Sequence, residues 1–272
     1  MSWIEAIVLG IAQGLTEFLP VSSTAHLRIV PAFAGWEDPG ALFTAVIQLG
    51  TMLAVVIYFW RDLERITRTW LSSLRRPELR GELDARMGWY VINATIPIGV
   101  AGLVFNDQIE SGARNLYLIG TILIVAGLVL ALAEHVGRRT RDVADVTRAD
   151  AIWVGVAQAL ALVPGTSRSG ATITAGLFLG MKREAAARFS FLLSIPAIVL
   201  SGLYGLTELI TGDEAVSFGS LAIATVVAFG FGYVSIAFLL RYLSTHSVML
   251  FVWYRLVMGT VVIALVAAGV IS

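Results

Sequence analysis

The chain has 272 residues, of which 57% are hydrophobic and 14% charged, with a mean hydropathy of +0.82. A soluble domain carries about a quarter charged residues, so this composition marks a polytopic membrane protein; with a formal net charge of zero nothing suggests a nucleic-acid partner, and the basic residues are read by position. The absence of cysteine excludes disulfides, thiol catalysis and thiolate metal sites, so any metal would need oxygen or imidazole ligands.

In chain order, the opening M-S-W-I-E lacks the basic flank of a cleavable signal, and the first apolar stretch, 3–19, is expected to remain in the mature protein. It is shorter than the roughly 20 residues of a bilayer crossing. It runs into E-F-L-P-V-S-S-T-A-H-L-R (17–28), where a carboxylate, three hydroxyls, a histidine and an arginine crowd together; polar groups at membrane depth are costly and usually functional. A crossing is predicted at 41–60. The 61–86 loop that follows carries Arg61, Arg65, Arg68, Arg75, Arg76, Arg80 and Arg86, which places it in the cytoplasm and the Arg-poor 31–40 loop outside. Crossings at 89–106 and 115–136 enclose an outer tip, 107–114, with Arg114 alone, and lead to a second inner loop with Arg138, Arg139, Arg141 and Arg148. The stretch 150–163 is again short and ends in V-P-G-T-S-R-S-G. Lys182, Arg183 and Arg188 mark a further inner loop, so 150–181 starts and ends on one side, as a re-entrant hairpin does where its irregular backbone faces protein or a water-filled cavity. Crossings at 186–207, 218–240 and 247–270 follow, the first two joined by an acidic outer segment with Glu208, Asp213 and Glu214.

The two halves resemble each other. W-I-E-A-I-V-L-G-I-A-Q-G-L (3–15) aligns with R-A-D-A-I-W-V-G-V-A-Q-A-L (148–160), matching Gly10 with Gly155 and Gln13 with Gln158, and Ser22 then falls opposite Ser167; with one residue of slip, Phe43 and Tyr58 meet Phe189 and Tyr204. Three crossings and one re-entrant hairpin per half would invert the second half relative to the first. The expected fold is therefore all-α, a single integral membrane domain of six transmembrane helices and two re-entrant hairpins, arranged as inverted repeats of about 1–140 and 146–272, with functional elements meeting at the repeat interface.

In P-G-T-S-R-S-G (164–170), small and hydroxyl residues lead into a helix whose free amides and positive dipole end suit an anion, and Arg168 adds a fork that fits phosphate oxygens. Thr166, Ser167, Arg168, Ser169 and Gly170 are the candidate phosphate cradle; the competing reading is a helix cap with an arginine paired to a carboxylate. Glu17, Ser23 and His26 fit a hydrolytic reading of nucleophile or bound water, base, and orienting or metal-holding carboxylate. There the competing reading is Ser22 or Ser23 as N-cap and His26 simply hydrogen-bonded.

Taken together, Q-G-L-T-E-F-L-P-V-S-S-T-A-H (13–26) and P-G-T-S-R-S-G-A-T (164–172) resemble the bacterial undecaprenyl-diphosphate phosphatase family, also called the bacitracin-resistance family. The resemblance continues through I-Q-L-G-T-M-L-A-V (47–55), F-S-F-L-L-S-I-P (189–196) and Y-R (254–255). It implies a multi-pass enzyme of the bacterial plasma membrane. Such an enzyme removes the terminal phosphate of undecaprenyl diphosphate, a long-chain isoprenyl diphosphate lipid, with help from a divalent cation, Mg²⁺ or Ca²⁺, and so recycles the carrier used in cell-wall synthesis. Its site would open to the extracytoplasmic side, and a homodimer stays open as an assembly. The family's E/Q-x-x-x-E motif falls on Gln13 and Glu17, its serine-histidine segment on Ser22, Ser23 and His26, and its arginine motif on Arg168; Gln13 where a carboxylate often stands leaves Glu17 most of the metal role. The mechanism expected has Ser23 attacking or positioning water, with Ser22, Thr24 and direct attack by water as alternatives, His26 as base and then acid, and Arg168 with the 166–170 amides, beside Ser22 and Thr24, holding phosphate. Tyr254 and Arg255 would either reach the head group or form a snorkelling pair. The rival class is a lipid-phosphate transporter or flippase, since inverted repeats are transporter architecture. A phosphohistidine lipid phosphatase lacks its second histidine motif here, His135 and His246 being isolated.

Overall fold

The computed structural model describes residues 1–105, 115–211 and 217–271, and within them the chain is helical throughout, with eleven α-helices and no strand. They are α1 (Trp3–Phe18), α2 (Ser23–Ala34), α3 (Gly40–Tyr58), α4 (Trp60–Arg75), α5 (Leu83–Val104), α6 (Leu116–Val136), α7 (Arg148–Ala159), α8 (Arg168–Phe178), α9 (Arg183–Thr211), α10 (Phe218–Leu243) and α11 (Met249–Ala267). The six apolar stretches expected to cross form α3, α5, α6, α9, α10 and α11. Of these, α5, α6, α10 and α11 are long and apolar enough to span a bilayer by length and composition, and a fifth qualifies if α3 and α4 are taken as one bent span. The outer-tip readings on 107–114 and on Asp213 and Glu214 lie outside the described residues.

The two short apolar stretches form broken pairs. α1 and α2 have 16 and 12 residues, α7 and α8 have 12 and 11, and each pair is interrupted at its Pro/Gly/Ser cluster. Local chemistry starts both first arms in the same way: a capping box joins Ser2 to Glu5 at α1 and Thr147 to Asp150 at α7. Between lipid-solvated helices there is little hydrophobic drive to associate, so close approach depends on small residues. A Cβ at Gly10 would sit 2.6 Å from the Ala224 carbonyl oxygen of α10, and one at Gly155 would sit 2.7 Å from the Ala94 oxygen of α5. Each first arm is thus pressed onto a long helix of the other half. Ser235 Oγ of α10 also donates to the Leu15 carbonyl at 2.9 Å, fixing the end of α1.

The 61–86 segment departs from the loop expected of it. α4 turns 75° from α3, and a short 3-10 turn (Pro77–Gly81) leads into α5. Its arginines mask a helix because Leu63, Ile66, Trp70 and Ser73 recur at helical spacing and face inward, with Trp70 packed against Gly88 of α5 and edge-on to Trp89 at 5.5 Å. The largest core cluster, with Phe18, Phe59, Phe189, Phe191, Ile173 and Leu239, lies around the two broken pairs. Leu103, Trp153 and Val257 are among the many apolar side chains left on the surface, as a bilayer-facing belt requires.

Candidate functional site

Each interruption ends on a serine in the left-handed region, Ser22 at φ 75° and Ser167 at φ 70°. Such a conformation is uncommon outside glycine and costs on the order of 1–3 kcal/mol, so it persists only where its surroundings impose it. Here each serine is the N-cap of the helix that follows: Ser22 Oγ accepts from Ala25 N–H at 3.4 Å, and Ser167 Oγ accepts from Gly170 N–H at 3.1 Å. Neighbouring hydroxyls repeat the pattern, Ser22 with Thr24 at 3.2 Å and Ser167 with Ser169 at 3.1 Å. Two capped half-helix N-termini, α2 and α8, are therefore set up alike.

The structure joins them. Arg168 Nη2 donates to Glu17 Oε1 across 151 residues of sequence, and Ser169 Oγ donates to the Leu19 carbonyl at 3.0 Å. The other Glu17 oxygen accepts from Ser23 Oγ at 2.6 Å and from Gln13 Nε2 at 2.9 Å. Glu17, Ser23, Gln13 and His26 are all buried, and the Arg168 side chain is nearly so. Only one of the five guanidinium donors of Arg168 serves Glu17, which leaves most of the fork for a ligand. The amides of Arg168 and Ser169 are the first two of α8 and have no partner within it. Those of Thr166 and Gly170, counted in the expected cradle, are already spent, on the Val163 carbonyl and on Ser167 Oγ. Arg28, the last polar residue of the first motif, pairs with Asp38 at 3.3 Å.

His26 is where the geometry differs most from the expectation. Its Nδ1 lies 2.7 Å from the Ser22 carbonyl, which can only accept, so Nδ1 carries a proton, and in the neutral ring Nε2 accepts from the Tyr254 hydroxyl at 2.6 Å. The rings stack with centroids 5.5 Å apart. Ser23 is therefore partnered by Glu17 rather than by His26, although the two lie on one turn of α2.

Sequence reasoning left Tyr254 and Arg255 between two readings, and the structure separates them. Tyr254 reaches the site through His26. Arg255 does not snorkel and pairs with no carboxylate among the described residues: it is 1% exposed, and its guanidinium donates to the carbonyls of Pro20, Leu123, Gly165 and Thr166 at 2.9–3.2 Å. One cation thus ties the first tip, the second tip and α6 together. Gly170 stands against it because a Cβ there would lie 2.8 Å from Arg255 Nη1. The longer motifs also hold the site from behind. Thr51 lies 3.5 Å from Gln13 Nε2, Ser190 shares a hydrogen bond with Thr172 of α8 at 2.6 Å, and Phe191 packs edge-on against Phe18.

Among the described residues no group of three or more His, Asp or Glu side chains is placed to hold a metal. One feature does suit a cation. Gln13 must turn its NH₂ toward the Glu17 carboxylate, which leaves its carbonyl Oε1 buried and without a partner. A carboxylate and an orphaned amide oxygen are the kind of oxygen donors that a hard cation takes.

Fold and site together define a polytopic helical membrane protein whose buried polar centre is made from two interlocked half-helix tips, an arrangement suited to an anionic ligand. The chain belongs to the bacitracin resistance protein BacA family, whose model matches residues 6–261. It is 53% identical over 272 residues to an undecaprenyl-diphosphatase of Thermobifida fusca, covering 100% of this chain and 93% of the relative. It is 54% identical over 275 residues to an undecaprenyl-diphosphatase of Mycolicibacterium smegmatis, covering 100% and 99% of the two chains. With an undecaprenyl-diphosphatase 2 of Streptomyces coelicolor the identity is 50% over 284 residues, covering 100% and 97%.

Proposed function

We propose that this protein is an undecaprenyl-diphosphate phosphatase, an integral membrane hydrolase that converts the lipid diphosphate to undecaprenyl phosphate and inorganic phosphate. The observation that carries the chemistry is the Glu17 carboxylate, bonded on one oxygen to Arg168 of the second tip and on the other to Ser23 of the first. A nucleophile, its proton acceptor and a phosphate-binding cation are thereby adjacent.

In this reading the diphosphate lies between the N-termini of α2 and α8. The free donors of Arg168, the amides of Arg168 and Ser169, and the hydroxyl of Thr24 take the charge of the transferred phosphoryl group. Ser23 Oγ attacks the terminal phosphorus and its proton passes to Glu17. The bond to the bridging oxygen breaks, and undecaprenyl phosphate leaves. Water then attacks the phosphorus, its proton moving to the Tyr254 oxygen as the Tyr254 proton moves to His26 Nε2; the Oγ–P bond breaks, Ser23 Oγ takes back its proton from Glu17, and His26 returns its proton through Tyr254 to the departing phosphate. A divalent cation, Mg²⁺ or Ca²⁺, belongs to the proposal: Glu17 and the Gln13 carbonyl would hold it, and when bound it neutralises phosphate charge.

The same reading includes the inverted repeat, supported by the matching φ values and caps of Ser22 and Ser167. It also includes residence in the bacterial inner membrane with the site open to the extracytoplasmic side, supported by the arginine-rich loops. The exposed apolar belt leaves room for a homodimer. Purified protein in detergent, where transport has no meaning, is expected to release phosphate from a long-chain isoprenyl diphosphate. A protein that bound the lipid but released none would belong to the transporter class instead.

A further inference from the structure

We infer that α4 is a binding surface for anionic phospholipid, built into the membrane face that carries residues 60–76. The helix leaves α3 at 75° through the Trp60 end, so it runs far from the direction of the span that precedes it. At 100° per residue its side chains sort into three faces. Leu63, Ile66, Trp70 and Ser73 turn inward toward α5. Trp60, Leu71 and Leu74, 61%, 51% and 47% exposed, form an apolar face left open among the described residues. Arg61, Arg65, Arg68 and Arg75 form the third, directly beside the apolar one.

A helix with one face packed, one apolar and one basic lies flat in the bilayer interface, its apolar side chains among the acyl chains and its cations among the head groups. The charges favour an anionic lipid. Arg65 is held by Asp62 and Asp84, and among the described residues Arg68 pairs with the half-exposed Glu64 alone, at 3.4 Å. Arg61, Arg75 and Arg76 have no ion-pair partner among the described residues. Arg61, Arg65 and Arg68 also line, with Glu64 and Thr69, an open surface groove of about 370 Å³. Surface pairs such as Arg68 with Glu64 are weak and readily exchanged for a phosphate. None of these residues belongs to the site around Glu17, so the surface stands whether or not the phosphatase assignment does.

The test uses the full-length protein in two measurements. In bilayers of phosphatidylcholine with brominated acyl chains, the fluorescence lost on quenching is compared between the parent and Trp60→Phe; the difference is expected to show Trp60 strongly quenched. In detergent, binding of phosphatidylglycerol is measured by native mass spectrometry against phosphatidylcholine as control. Neutralising Arg61→Gln, Arg68→Gln and Arg75→Gln together is expected to weaken phosphatidylglycerol binding by about 10-fold or more, since each basic residue near an anionic surface contributes measurably, with phosphatidylcholine unaffected. Arg75→Glu alone, at the exposed end of the helix, provides a variant with little to disturb in the fold and should act in the same direction. An unquenched Trp60, or phosphatidylglycerol binding unchanged in both variants, overturns the inference. Crosslinking of copies through Leu71 and Leu74 with Trp60 shielded from lipid would assign the face to a second copy and overturn it equally.

Discussion

At the residue scale the polar centre is a chain of shared partners, and variants should reveal which links carry chemistry. Arg168→Lys keeps the charge but loses the planar fork, and comparable electrostatic contacts in active sites are worth about 10²-fold or more in turnover. Glu17→Ala and Ser23→Ala are expected to be at least as damaging, measured as phosphate release. Because Glu17 bonds to both Arg168 and Ser23, the double variant Arg168→Lys with Ser23→Ala should lose far less than the product of the single losses. Multiplicative losses would mean that the two tips act separately. Tyr254→Phe removes the hydroxyl on His26 Nε2 while leaving the stacked ring, and should slow turnover with little change in KM. An unchanged kcat would remove Tyr254 from the proton path.

Gln13 allows a sharper test of the cation. Gln13→Glu replaces the orphaned carbonyl with a second carboxylate beside Glu17, so the variant should stay active and reach half-maximal rate at a lower Mg²⁺ or Ca²⁺ concentration. If the cation requirement were the same in parent and variant, Gln13 would have no part in holding metal.

At the scale of elements, what matters is how broken helices stay at a fixed depth. Their tips expose carbonyls that no helix satisfies, and Arg255 donates to those of Pro20, Gly165 and Thr166 and to Leu123 of α6. Arg255→Met fills much of the same space and leaves these acceptors bare, at about 1–3 kcal/mol for each that finds no water. Its melting temperature in detergent should fall by several degrees and its activity with it, while the substrate-facing groups remain in place. A variant as stable as the parent would show that water or lipid replaces the guanidinium at no cost. The Y-R pair was visible in the sequence, but the periodicity of an apolar helix does not distinguish an arginine that reaches outward from one that turns into a junction of carbonyls. α4 was missed for a related reason: a hydropathy reading treats arginines as loop markers, and only the inward turn of Leu63, Ile66 and Trp70 shows a helix beneath them.

At the scale of the whole molecule, sidedness rests on loop charge. A cysteine at Glu37 is expected to label from outside the cell and one at Arg76 only after permeabilisation. Labelling of Arg76 in intact cells would reverse the topology and close the site to the extracytoplasmic face.

The sequence by itself determined the membrane class, the apolar helices and the two breaks at L-P-V-S-S-T and V-P-G-T-S-R-S-G, because hydropathy, proline and capping chemistry act within windows of about 20 residues. It also exposed Glu17, Ser23, His26 and Arg168 as polar groups that lipid would not tolerate idle. Tertiary structure alone decided their partners. Glu17 meets Arg168 across 151 residues, and His26 meets Tyr254 across 228, only because the first arm of each broken pair is wedged onto a long helix of the other half and Arg255 locks the tips together. Ser23 and His26 share a helical turn, yet the serine turns to a carboxylate and the histidine to a phenol. Spacing along a helix limits which side chains can meet, but the choice among them is made by what the opposing elements bring within hydrogen-bonding reach.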